Sequence, residues 1–188
     1  MNVTPDHILG FWLDECSPDD WYVQDDALDA KIRDRFREAW ENARNLLGWT
    51  TTARGALALL ILTDQFPRNM FRGQGQAFST DRFACAVAKR AIWQGMDLFV
   101  DGPGRQFFYL PLEHSESTQD QHRAVRLILT RLEGSETLLH ARAHRAVIRR
   151  FGRFPPRNKA LGRMSSPGEQ AFLDRGGYGA VVRELRAA

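Results

Sequence analysis

Hydrophobic residues recur every three or four positions along most of the chain, and no segment alternates apolar with polar. The pattern therefore predicts helix after helix and no sheet. Thr4–Pro5 reads as a cap with proline at the first helical position, opening a short helix through Ile8, Leu9, Phe11 and Trp12. A second helix is expected from about Asp26 to Leu47, on a stripe of Leu28, Ile32, Phe36, Ala39 and Ala43. Thr51–Thr52 open a third, Ala53 to Gln65, apolar on nearly every side through Ala56–Leu62 and so expected at the centre of the fold. It should stop before Pro67, because the residue ahead of a proline is driven out of the helical region. Ser79–Thr80–Asp81 begins the next, with Phe83, Val87, Ala91 and Ile92 inward and Gly95 at its end. Residues 103–116 read as a helix disturbed by Pro111. Thr118 with Gln121 fits a capping box, and Gln121, Val125, Ile128 and Leu132 form one stripe. Further helices are expected over Ser135–Gly152, from the cap at Ser166–Pro167–Gly168–Glu169, and after Gly179. Connections are short and no low-complexity linker appears. Residues 1–188 are accordingly expected to form a single all-α domain of stacked antiparallel helix pairs.

Composition narrows the class. Apolar residues at 43% and charged residues at 26% are ordinary for a globular chain. The longest apolar run, Ala56–Leu62, is far short of the roughly 20 residues that span a bilayer. The N-terminus lacks the basic flank and apolar core of a secretory signal, so membrane and disulfide-rich secreted classes are excluded. Cys16 and Cys85 are isolated, which predicts two free thiols in a reducing cytoplasm. Charge is uneven. Residues 1–50 carry eleven acids against five bases, whereas no acid occurs between Glu136 and Glu169, where eight cations fall. That asymmetry raises nucleic acid as a partner, but no stacking aromatics or recognisable module accompany the basic run, and nucleic acid is not expected.

Three constellations carry the candidate chemistry. Asp64–Gln65–Phe66–Pro67–Arg68–Asn69 and Gly152–Arg153–Phe154–Pro155–Pro156–Arg157–Asn158 share Phe-Pro followed by Arg-Asn at the end of a predicted helix. Asp64 falls on the inward side of its helix, where a desolvated carboxylate needs a cation such as Arg68 or Arg72. The arginines are then either a buried lock that ends the helix or donors to an anionic ligand. In the Ser135–Gly152 helix, Arg142, Arg145, Arg149 and Arg153 form a stripe read as solvated, whereas Arg150 and His140 fall inside the apolar arc. An inward guanidinium must meet a carboxylate or a ligand, and Asp64 and Glu116 are the expected partners of Arg150. The third constellation is His114–Ser115–Glu116. His and Glu two apart could be an acid or base with its orienting partner, or a cross-link between helices. His114 and Glu116 lack the one-face spacing of helix-borne metal ligands, and no clustered Cys/His, nucleophile elbow or phosphate loop is present; a metal would have to use His114, Glu116, Asp81 or His144, and neither metal nor cofactor is expected.

Gln65–Phe66–Pro67–Arg68–Asn69, His114–Ser115–Glu116 after Tyr109–Leu110–Pro111, and Phe151–Gly152–Arg153–Phe154–Pro155 with Arg157–Asn158 together resemble a bacterial domain-of-unknown-function family of about this size. Ile8–Leu9–Gly10–Phe11–Trp12, Leu161–Gly162–Arg163 and Ser166–Pro167 extend the similarity over almost the whole chain. The resemblance implies an all-helical, right-handed, tetratricopeptide-like array and no particular activity. The chain departs from the family pattern at Pro156, where histidine is usual, and at Ser117, where an acid is frequent. The missing histidine weakens metal binding or proton transfer at the second motif.

Two functions follow as expectations. The first is binding of a small carboxylate or phosphate by Asp64, Arg68, Asn69, Arg72, Arg150, Arg153, Arg157 and Asn158, with His114 and Glu116 as polar neighbours and as the candidate catalytic pair. The second is a protein-interaction scaffold with tryptophan anchors among Trp12, Trp21, Trp40, Trp49 and Trp93, its polar motifs being structural locks.

Overall fold

A computed structural model describes residues 3–132 and 136–187. Ser135, expected to open a helix, lies outside the described residues, as do Met1 and Asn2 of the N-terminal segment read for a leader. All regular structure among the described residues is helical. Contacts divide the chain into two compact units, Met1–Arg72 with Gln76–Pro111, and Gly73–Gly75 with Leu112–Ala188.

In the first unit, Thr4 and His7 close a capping box on α1 (Pro5–Leu9), and the chain runs on through a wide π turn at Gly10–Glu15. The Asp25 carboxylate caps α2 (Asp26–Glu41) by accepting from the Ala27 and Leu28 amides. This helix stops well before Leu47. Asn42 donates its side-chain amide to the Glu38 carbonyl, and Ala43–Thr51 tightens into a 3₁₀ coil. Thr52 caps α3 (Ala53–Leu60), in which Gly55 through Leu60 are all buried, as a helix apolar on every side requires. Gly55 is needed there, because a Cβ would lie 2.1 Å from the Trp49 carbonyl oxygen.

The predicted stop at Pro67 does not occur. A π turn over Ile61–Gln65 leads straight into α4 (Phe66–Met70), with the Phe66 amide donating to the Ile61 carbonyl. The wide turn interrupts the regular register, so Pro67 falls in a fresh first turn, where its missing N–H is not required. Phe66 then packs its ring against Phe36 at 4.8 Å and Trp12 at 5.4 Å. Next comes α5 (Asp81–Trp93), closed by Gly95 in the left-handed region at φ 72°. Residues 103–116 form no single helix. Gly102–Phe108 is 3₁₀, and Pro111 sits in the opening turn of α6 (Leu110–Glu113) instead of disturbing a longer one.

The second unit is built on α7 (Thr118–Arg131), α8 (Glu136–Phe151), α9 (Pro167–Asp174) and α10 (Gly177–Ala187). Helices α7 and α10 both pack against α8, and Val147, Ile148, Phe154 and Phe172 form the core under α9 and α10. The capping box predicted at Thr118 is absent, because Ser117 holds the cap position. Gln121 is fully buried and donates instead to the carbonyls of Glu113 at 2.5 Å and Ser115 at 2.8 Å, tying the helix to the chain that enters it. Gly152, at φ 70°, ends α8 by returning its amide to the Ile148 carbonyl at 2.8 Å. Ser166 and Glu169 form the predicted capping box of α9. No helix among the described residues is long and apolar enough to cross a membrane.

Candidate functional site

The first Phe-Pro-Arg-Asn motif lies in the first unit, where the π turn brings a run of polar groups inside. Asp64 is 1% exposed, and its carboxylate meets Arg68 at 3.2 Å and accepts from Gln65 at 2.5 Å. Arg68 also reaches Asp81 at 2.9 Å. Burial works against the Arg68 charge, but the two carboxylates prevail and raise its pKa. One turn further on, Asn69 donates to Asp29 at 2.8 Å, and Arg72 grips the same carboxylate with two nitrogens, one of them at 2.9 Å. Asp29 belongs to α2, so these bonds fasten α2 to α4. Arg33 of α2 adds a bond to the Met70 carbonyl at 3.1 Å. Through Asp29 the motif fastens α2 to α4, and through Asp64 and Asp81 it ties α4 to the π turn and to α5.

The second motif and His114–Ser115–Glu116 share the second unit. The Glu116 carboxylate receives Arg163 through both terminal nitrogens, at 2.8 and 2.9 Å, and the Phe154 amide at 2.8 Å. Burial opposes ionisation of Glu116, but the Arg163 pair and the Phe154 amide outweigh it and hold its pKa below the ordinary value. Arg153 forms a fork on Glu169 at 2.6 and 2.8 Å and also donates to the Met164 carbonyl. That fork and the Ser166 amide keep Glu169 strongly acidic. Asn158 is 1% exposed and donates to Ser165. Arg157 lies 4.6 Å over the Phe154 ring.

Arg150 departs from expectation. It is exposed and covers the rings of Phe151 and Phe172 at 4.9 and 6.0 Å, while Glu116 goes to Arg163. The buried face of α8 is turned towards Ala141 and Ile148, which puts Arg150 at its rim, where an arginine can lay its plane on aromatic carbon.

A third group surrounds α8. Glu113 is 1% exposed, and its carboxylate lies 3.4 Å from His144 Nδ1. The His144 ring stands edge-on to His114 at 5.9 Å and to Phe154 at 5.5 Å. Its Nδ1 is also 2.9 Å from the His140 carbonyl. A carbonyl oxygen only accepts, so Nδ1 carries the hydrogen and the lone pair of neutral His144 resides on Nε2. Burial, aided by the Glu113 charge, keeps the Tyr178 hydroxyl protonated well above its ordinary range. Among the described residues, no three His, Cys, Asp or Glu side chains group closely enough to hold a metal ion.

A sequence profile of bacterial proteins of unknown function, DUF924, matches residues 8–177. The chain belongs to this family. A solved structure of a protein of unknown function from Agrobacterium tumefaciens is 42% identical in sequence to this DUF924 chain. The match covers 91% of this chain and 97% of that one, with a TM-score of 0.86. A search of curated proteins gave no match. The two Phe-Pro-Arg-Asn segments of the DUF924 chain sit at the two polar clusters described above, one in each unit. Glu113 and Tyr178 were not among the expected site residues, and His144 was weighed only as a metal ligand. The spacing of His140 and His144, one turn apart on a helix, was the available signal. A groove of about 750 Å³ beside α2, lined by His7, Asp34, Glu38 and Asn42 among others, contains none of the expected site residues.

Proposed function

We propose that this DUF924 protein binds a small anionic molecule, a carboxylate or a phosphate, at the polar centre of its second unit. The observation that carries the reading is the fixed tautomer of His144. With Nδ1–H held by the His140 carbonyl and lying 3.4 Å from the Glu113 carboxylate, Nε2 is the ring nitrogen left to meet a ligand. Nε2 accepts the hydrogen of a monoprotonated phosphate or a carboxylic acid, with His114 beside the ring. Arg157 supplies the rim, the buried Asn158 lies beneath it, and Arg153 and Glu116 hold the surrounding chain in place. The same imidazole pair would serve any proton transfer, with Glu113 rather than Glu116 as its orienting carboxylate. Asp64, Arg68, Asn69 and Arg72 we assign to a structural lock, since Asn69 and Arg72 bond Asp29 of α2 while Arg68 joins Asp64 to Asp81 of α5. Arg150 we assign to the outer edge of the site. Cys16 and Cys85, neither of them in a disulfide, suit a cytoplasmic setting. The family match runs through both units, which supports a single functional domain over 1–188. Its successive helix pairs fit a tetratricopeptide-like array.

Thermal shift tests the reading. Inorganic phosphate or succinate should raise Tm with concentration, by about 2.7 kcal/mol of stability at a hundred times Kd. His144→Gln and Arg157→Ala should each remove the rise. No rise with either anion in the unaltered protein refutes it. The alternative is a protein-interaction scaffold, favoured by Trp93 and Phe99, which are 82% and 81% exposed while Trp12 and Trp40 are buried. In that case Trp93→Ala with Phe99→Ala should abolish a pull-down partner and leave Tm unchanged.

A further inference from the structure

We infer that the groove beside α2 is a binding site for a short aliphatic diamine. The groove holds about 750 Å³, within the range of small-molecule sites. Asp34, Glu38 and Asn42 line it and recur at every fourth position, so their side chains stand in one row along the helix. Among the described residues no ion pair engages either carboxylate, and both residues are exposed. The other acids on or beside α2 are answered: Asp29 by Arg72, Glu41 by Arg37 at 2.9 Å and Glu15 by Arg35 at 2.9 Å. Arg35 also borders the groove, but its guanidinium is committed to Glu15 and to the Phe11 ring, 4.9 Å away. Lys31, three residues before Asp34, acts on Glu15. His7, also in the lining, takes the Thr4 amide on Nδ1 at 3.2 Å and in its neutral form brings no charge. Asp34 and Glu38 are thus like charges one turn apart, which repel along the helix, and a bound cation relieves that repulsion.

The lining defines the cation. Asn42 donates its side-chain amide to the Glu38 carbonyl at 2.9 Å, which leaves its side-chain oxygen as a third acceptor in the row. A row of acceptors calls for donors, and an ammonium group offers three and accepts none. Val3, Ala39 and Leu46, each half-buried, supply apolar lining that suits methylene groups better than a hydrated ion. A hard divalent ion wants about six oxygen ligands, and among the described residues no three His, Cys, Asp or Glu side chains group closely enough to hold one. The helical rise sets Asp34 and Glu38 about 6 Å apart along α2, a span that four methylenes between two ammonium groups can match. One ammonium then meets each carboxylate, and the chain between them lies on the apolar lining. The groove belongs to the first unit, and this inference does not rest on anion binding in the second.

NMR titration of the whole protein with 1,4-diaminobutane tests it, at neutral pH and constant ionic strength. Amide shifts over 34–46 should move and saturate, and 1-aminobutane, with one charge, should bind about tenfold more weakly, the loss of one charge-assisted contact. Asp34→Asn with Glu38→Gln should weaken diamine binding by about tenfold or more, since an amide keeps the shape and loses the charge. Asp19→Asn with Glu184→Gln removes two exposed acids elsewhere and should leave the affinity unchanged. Absence of saturable shifts overturns the proposal, as does undiminished binding in the groove variant or an equal loss in the distant one. Magnesium chloride that displaces the diamine at equal concentration overturns it too, because the groove would then be selecting charge alone. Should the groove variant not fold, Asn42→Lys decides the matter. It plants an ammonium in the row and should abolish diamine binding, and unchanged affinity there refutes the site.

Discussion

Asp29 shows how a single carboxylate can govern the join between two helices. Its buried oxygens serve both Arg72 and Asn69. Removing it leaves a guanidinium and a buried amide without their acceptor, and Arg72 can rehydrate only in part. Asp29→Ala should therefore cost about 2 kcal/mol, read from the midpoint of urea unfolding. The sequence identified Asp64 as an inward acid in need of a cation because its helical position sits among Leu57 and Ile61. Asp29 went unremarked, since its partners are 40 and 43 residues away. Glu113 escaped for a similar reason. Nothing in its local sequence distinguishes it from Glu116, and the imidazole beside it comes from a helix that begins at Glu136.

At the scale of elements, caps and apolar stripes marked most helices correctly, because both signals are local. Thr4, Thr52 and Ser166 cap their helices through their own hydroxyls. The misplaced boundaries are those where a non-standard turn intervenes. The π turn at Ile61–Gln65 carries the chain past Pro67, and the 3₁₀ coil at Ala43–Thr51 takes the place of the expected end of α2. That coil packs on α3 so closely that only glycine fits at position 55. Gly55→Ala should lower stability by about 3 kcal/mol in chemical denaturation, because the new methyl meets a backbone oxygen that cannot step aside. Gly48→Ala, with open space around its Cβ, should change stability little and serves as the comparison.

For the molecule as a whole, several arginines are answered by buried or half-buried acids, and that gives stability a definite pH dependence. Glu116 and Glu169 are both held below the ordinary carboxyl value of 4.5, by Arg163 and Arg153 respectively. A carboxyl whose folded pKa is depressed contributes stability that is complete above its unfolded value and is lost as pH falls towards the folded one. Tm should therefore hold from pH 7 to about 5 and fall below 4.5, and the gap between the unaltered protein and Glu169→Gln should narrow over that fall. A gap that stays constant from pH 6 to pH 3 would show that Glu169 acts through packing alone. The sequence by itself determined the all-helical class, the central place of Ala56–Leu62 and the inward Asp64, because periodicity and capping are properties of neighbouring residues. Only the tertiary structure decided which carboxylate each arginine meets, that Arg150 lies outward, and that His144 stands with Glu113 and Tyr178. Those pairings join residues tens of positions apart, and their partners are set by how whole helices pack.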